Sequence, residues 1–208
     1  MFYLKGEMAS VKKAVTSLLE KENTVDVLVC NGGVLLNEKQ KTKEGNEVTF
    51  ASHLLGGSYL LSQLLIPQLK ASTDPRIIFV SSGGMYTSPF PDWDTATSSD
   101  DAKHKYDGQL AYAYAKRGQV LLADEYAKLY SAIPTVSVHP GWTLTPAVDI
   151  AYGDNKKYLE PMRTTWQGVS SQISQNIFLL FFEQSLLTNN RLHEPYIFKM
   201  SRQKGFVG

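Results

Sequence analysis

Arg76-Ile77-Ile78-Phe79-Val80-Ser81-Ser82-Gly83-Gly84 decides the fold. The first five residues form a dense, β-branched apolar run, set off by Asp74-Pro75 before it and by two hydroxyls and two glycines after it. An apolar residue at nearly every position, with no alternation, is the pattern of a strand covered on both faces, as in a parallel sheet. Working outward, a polar loop leads to Ala111-Tyr112-Ala113-Tyr114-Ala115-Lys116, which opens a helical pattern through Val120, Leu121, Ala123 and Tyr126 and stops before Pro134. Tyr112 and Lys116 lie one helical turn apart on one face. A strand-end serine, a phenol and an ammonium can converge on one carbonyl oxygen. The Tyr-x-x-x-Lys spacing alone says little, and it recurs at Tyr152 and Lys156, but there it falls in a Gly153-Asp154-Asn155 turn with no strand or serine before it.

Towards the N-terminus, Val11, Val15, Leu18 and Leu19 recur at helical spacing, and Val25 to Cys30 reads as a strand ended by Asn31-Gly32-Gly33. A longer helical pattern runs from Val48 to Leu69, with Pro67 expected to end or kink it. Residues 87–107 shift to Ser, Thr, Asp and Pro, with Phe90 and Trp93 among them, and read as a surface excursion over the site. Thr135 to His139 is a further strand closed by Pro140-Gly141, Gln167 to Phe182 a helix, and Pro195 to Phe198 an edge strand. Strands alternating with helices predict an α/β chain: one Rossmann-like domain over residues 1–208, a parallel sheet with helices on both faces.

Composition narrows the function. The chain has 208 residues, 43% hydrophobic and 20% charged, which is ordinary for a globular domain with a substantial core. A net charge of +1 with no basic block gives no footprint for nucleic acid. Lys39, Lys41 and Lys43 alternate with polar residues and read as a solvated loop. The single Cys30 excludes an internal disulfide. The apolar run Ile177 to Phe182 is too short to span a bilayer, and charges soon after Met1 argue against a signal peptide. These features predict a cytoplasmic protein. His53, His104, His139 and His193 lack metal-ligand spacing, so no metal is expected. No Gly-x-Ser-x-Gly elbow surrounds Ser82, which disfavours a hydrolase.

Three motifs in order, Arg76–Tyr86, Tyr112–Lys116 and Val138–Pro146, resemble the short-chain dehydrogenase/reductase family, in its retinol-dehydrogenase-like branch. The resemblance covers most of the chain, from Ser10 to about Phe198. It implies that Tyr112 is the general acid/base and that Lys116 lowers its pKa and binds a nicotinamide ribose. Ser82 would hydrogen-bond the substrate oxygen. A free phenol titrates near about 10 and needs such a cation to act at neutral pH. Asn31, Gly33, Pro140, Gly141 and Thr145 match segments that line the cofactor. The resemblance therefore implies NADP or NAD, a small-molecule carbonyl or alcohol as substrate, and allows a homodimer. Phe90, Trp93, Trp142 and Leu144 suggest that the substrate is lipophilic.

Three departures qualify that expectation. The family's Asn-Asn-Ala-Gly turn is here Cys30-Asn31-Gly32-Gly33. Where the family places a catalytic asparagine on the next helix, His53 stands, a candidate for a catalytic water relay. No Gly-x-Gly-x-x-Gly or Gly-x-x-x-Gly-x-Gly occurs, so the turn and helix that receive a pyrophosphate are expected to be missing. The chain then reads as the family domain without its first strands. Two functions follow: an NAD(P)-dependent oxidoreductase, or an inactive member acting as an interaction module.

Overall fold

In a computed structural model, the structure describes residues 6–140, residue 153 and the strand pair of residues 197–198. Helix α1 spans Met8–Leu19 and strand β1 Val27–Cys30, and a short α2, Val48–Phe50, follows. α2 runs into a π-helical stretch, Ala51–Leu60, and then into α3, Leu61–Ala71. β2 is Arg76–Val80, followed by a 3-10 turn at Gly83–Thr87. α4, Trp93–Ala96, lies within the excursion, α5 is Gly108–Leu129 and β3 is Thr135–Val138. β4 is Ile197–Phe198. The strands pair in parallel in the order β1-β2-β3-β4. This is the Rossmann-like α/β sheet that the run at Arg76–Val80 predicts. The helix expected over residues 167–182 and the spacing at Tyr152 and Lys156 lie outside the described residues.

Every residue of β2 is buried, as its unbroken apolar run requires. One face of the sheet, Leu28, Cys30, Ile77 and Phe79, joins Val15 of α1, Leu65, Ile66 and Leu69 of α3, and Ala123 and Tyr126 of α5 in one core. α5 begins where Asp107 caps it, its carboxylate accepting from the Gln109 and Leu110 N–H groups. Glu47 caps α2 in the same way, accepting from Thr49 N and Phe50 N, and is itself buried.

Pro67 does not end its helix. α3 continues through it to Ala71, because Leu65, Ile66 and Leu69 are all seated in the core and their burial outweighs the lost backbone bond. The widened stretch upstream was not readable from propensity. Inside it the His53 carbonyl is held locally by Ser58 Oγ (2.6 Å) and from α5 by Gln119 Nε2 (3.2 Å). Gly118 of α5 meets Leu54 so closely that a Cβ there would lie 2.3 Å from Leu54 Cδ2.

Candidate active site

The C-terminal end of β2 is stitched to α5 in both directions. Lys116 Nζ donates to the Val80 carbonyl (2.7 Å), while Ser81 Oγ donates to the backbone carbonyl of Lys116 (2.8 Å). The lysine is only 3% exposed. Burial without an ionised partner pushes its pKa down to about 7. Its Nζ sits 5.6 Å from the centre of the Tyr112 ring, so the spacing read in the sequence brings the two groups together. Tyr112 is partly buried.

Ser82, the next residue along, is also partly buried and caps the 3-10 turn, its Oγ accepting from Gly84 N (3.3 Å). The two serines thus divide their labour. Ser81 fixes the helix and Ser82 stands at the mouth of the strand end. Sequence reasoning picked Ser82 and missed Ser81, although strand alternation puts Ser81 on the face of Ile77 and Phe79, towards α5.

His53 also packs against the tyrosine. Its ring meets that of Tyr112 edge-on, centroids 5.2 Å apart at 88°. It is buried, and burial together with Lys116 holds its pKa well below the ordinary histidine value. Nε2 lies 3.0 Å from Val34 N and 2.6 Å from Val34 O, while Nδ1 is buried with no hydrogen-bond partner. Cys30, at the end of β1, is buried as well, and burial pushes its thiol up to about 12, a closed and unreactive state. Asn31 and Gly33 are exposed just past β1, and Pro140 is partly buried just past β3. Gly141 and Thr145 lie outside the described residues.

The excursion does something that the sequence did not indicate. With Lys39, Leu110, Ala111 and Tyr114 it encloses a cavity of about 500 Å³, which none of Ser82, Tyr112 or Lys116 lines. Lys39 and Lys41, expected on a solvated loop, both pair with Asp100 of the excursion, at 3.1 and 2.5 Å. Tyr106 reaches back to donate to the Glu47 carboxylate (3.2 Å).

A parallel sheet flanked by helices, with Ser81, Ser82 and Lys116 at the end of β2 and Tyr112 beside the lysine, defines a class: Rossmann-like α/β proteins. Comparison with known proteins supplies the family. The chain is 36% identical over 155 residues to the human "Dehydrogenase/reductase SDR family member 12", covering 74% of this chain and 47% of that protein. The bovine protein of the same name is 37% identical over 148 residues, 68% of this chain and 44% of the relative. The fold matches the 3-alpha-hydroxysteroid dehydrogenase of Pseudomonas sp. B-0831, solved with NADH, at TM-score 0.66 and 20% identity, over 88% of this chain and 76% of that one. No family model matches the chain. The chain belongs to the short-chain dehydrogenase/reductase family, and it spans just under half the length of the curated relatives named here. Among the described residues, no helix is long and apolar enough to cross a membrane.

Proposed function

We propose that the chain carries the reacting groups of an NAD(P)-dependent oxidoreductase acting on a small, lipophilic carbonyl or alcohol. The observation that carries this reading is the buried Lys116 ammonium beside the Tyr112 ring, held to the end of β2 by the Val80 carbonyl. Tyr112 donates its phenolic proton to the substrate oxygen during reduction and takes one back during oxidation. Lys116, when charged, stabilises the phenolate by Coulomb attraction in a site from which water is largely excluded. Ser82 hydrogen-bonds the same oxygen and orients it.

The residues present fit the ribose end of a nicotinamide cofactor. Among the described residues, Lys116 Nζ spends one hydrogen on Val80 O, which leaves donors for a sugar hydroxyl. Lys116 and Tyr112 would hold that end, with Asn31, Gly33 and Pro140 close to the strand ends. The cofactor, when bound, supplies or accepts the hydride. Whether it is NADP or NAD is set by residues that the family carries upstream of its second nucleotide-binding half. A cytoplasmic setting suits the single buried cysteine, and the family's homodimer is compatible with the reading.

The test is turnover of NADPH or NADH with lipophilic aldehydes and ketones, with the chain joined to the family's N-terminal half, for Tyr112→Phe against the parent. Losing the phenolic proton should cost about 10²–10⁴-fold in rate. A Tyr112→Phe variant as fast as the parent would overturn the assignment. A second reading, an inactive interaction module, is favoured by one feature: no Gly-rich phosphate turn occurs in the sequence.

A further inference from the structure

We propose that His53 is a positioning residue for Tyr112, and that Gly33 and His53 form one unit, the glycine leaving a notch that the imidazole fills. The functional weight of this unit rests on Tyr112 being the reacting group, but its geometry does not.

The notch is visible in what a side chain at residue 33 would meet. A Cβ on Gly33 would lie 1.7 Å from His53 Cε1, 2.1 Å from Nδ1 and 2.5 Å from Nε2, so the ring occupies the space where any other residue begins. Gly33 is not among the residues with positive φ, so its backbone does not require glycine. The requirement is space alone. This differs from the role that the resemblance implies for Gly33, as part of a cofactor-lining turn.

The imidazole is gripped from several sides. Nε2 contacts both polar atoms of the Val34 backbone, and the shorter contact, 2.6 Å to the carbonyl, fits Nε2 as the donor. The His53 backbone carbonyl is held by Ser58 and Gln119. A ring so fixed presents its edge to the Tyr112 ring, while the Lys116 ammonium lies over the same ring. The Tyr112 ring is therefore contacted by both the imidazole and the lysine. This arrangement requires a neutral histidine: an imidazolium would be a second buried cation close to Lys116. Lys116 and Tyr112 of α5 are the groups turned towards it, and both burial and Lys116 oppose its protonation. The bare Nδ1, buried and without a partner, is the cost of this arrangement.

The experiment uses the chain itself, with ¹⁵N-labelled imidazoles and ¹³C-labelled tyrosine rings, Tyr112→Phe assigning the Tyr112 signals. His53 in the parent should stay neutral well below the pH at which an exposed histidine titrates. His53→Ala and Gly33→Ala should each move the Tyr112 ring signals, and Gly33→Ala should lower the folding equilibrium constant about tenfold or more, the scale of an overpacked contact. In the Gly33→Ala/His53→Ala double variant the notch is empty, so Gly33→Ala should cost less than about threefold further. Unmoved Tyr112 signals in His53→Ala, or single effects that simply multiply in the double variant, would overturn the proposal. If Gly33→Ala fails to fold, the double variant decides: its folding supports the unit, and its failure to fold refutes it. These readouts do not involve turnover, so the oxidoreductase reading can fail while this one stands, and the reverse.

Discussion

Replacing Lys116 by methionine keeps most of the side chain's volume and removes its charge. Inside the fold, burial takes the lysine from its ordinary 10.5 to about 7. At about 1.4 kcal/mol per pH unit, forcing the proton onto it in the folded state costs on the order of 5 kcal/mol at low pH. Between about pH 7 and 10.5 the unfolded chain binds one proton more than the folded chain. Parent stability must therefore rise with pH across that window, and the penalty is fully present below it. From pH 7 to pH 9 the gain is about 2 kcal/mol: two pH units, less the half-titration already present at pH 7. Lys116→Met should lose this slope, at the pH-independent cost of about 1 kcal/mol for the bond to Val80. Cys30 acts with the opposite sign, because a thiol raised to about 12 gives stability that is lost as pH rises past the unfolded thiol's value near about 8.5. His53 acts only below its ordinary value of 6.5, where stability is lost as pH falls. Both groups remain in the variant, and although Lys116 lowers each of them, their folded-state values lie outside pH 7 to 9, so the difference in slope across that window reports the lysine. Urea unfolding of the two proteins at intervals from pH 7 to pH 9 is the assay. Parallel stability curves would show that Lys116 is hydrated or ion-paired in solution, and the buried-ammonium account would fall.

Three further outcomes are expected. Calorimetric titration of the 208-residue chain with NADPH or NADH should show no heat up to about millimolar, because charge-assisted phosphate contacts of roughly 1.5–3 kcal/mol each have no Gly-rich turn to supply them; a low-micromolar constant would refute this. Ser81→Ala should destabilise the fold by about 1 kcal/mol through loss of the hydroxyl's bond to the Lys116 carbonyl, measured by urea midpoint, whereas Ser82→Ala should change stability by less than about 0.5 kcal/mol and act on turnover instead. Asp107→Ala should cost about 1 kcal/mol by uncapping α5, and a variant as stable as the parent would mean that water replaces the cap.

The parts of the fold legible in the sequence are those in which local pattern and burial agree. The run at Arg76–Val80 is buried throughout, and the helical pattern from Ala111 is a helix from Gly108 to Leu129. Tyr112 and Lys116 could be singled out because helical spacing and a preceding strand with a serine occur together. The π-helical stretch was hidden because its widened turns depend on partners distant in sequence, Gln119 and Gly118, that no local window contains. The helix end expected at Pro67 does not occur for a similar reason, since its local cost is outweighed by core burial. Cys30-Asn31-Gly32-Gly33 reads as a turn from its residues alone; that Gly33 makes room for a ring twenty residues on is a tertiary fact.

The double stitch between β2 and α5 joins Ser81 to a residue 35 positions on and Val80 to one 36 positions on. Everything between the two ends is a loop whose closure is already enforced. The entropy of closing such a loop grows only as the logarithm of its length, about 0.6 kcal/mol for each doubling. One hydrogen bond of the stitch, at roughly 1 kcal/mol, exceeds that increment. The excursion of residues 87–107 can therefore lengthen, shorten or change composition while the lysine stays at the strand end. The cavity that the excursion lines can be reshaped at little thermodynamic expense to the strand end.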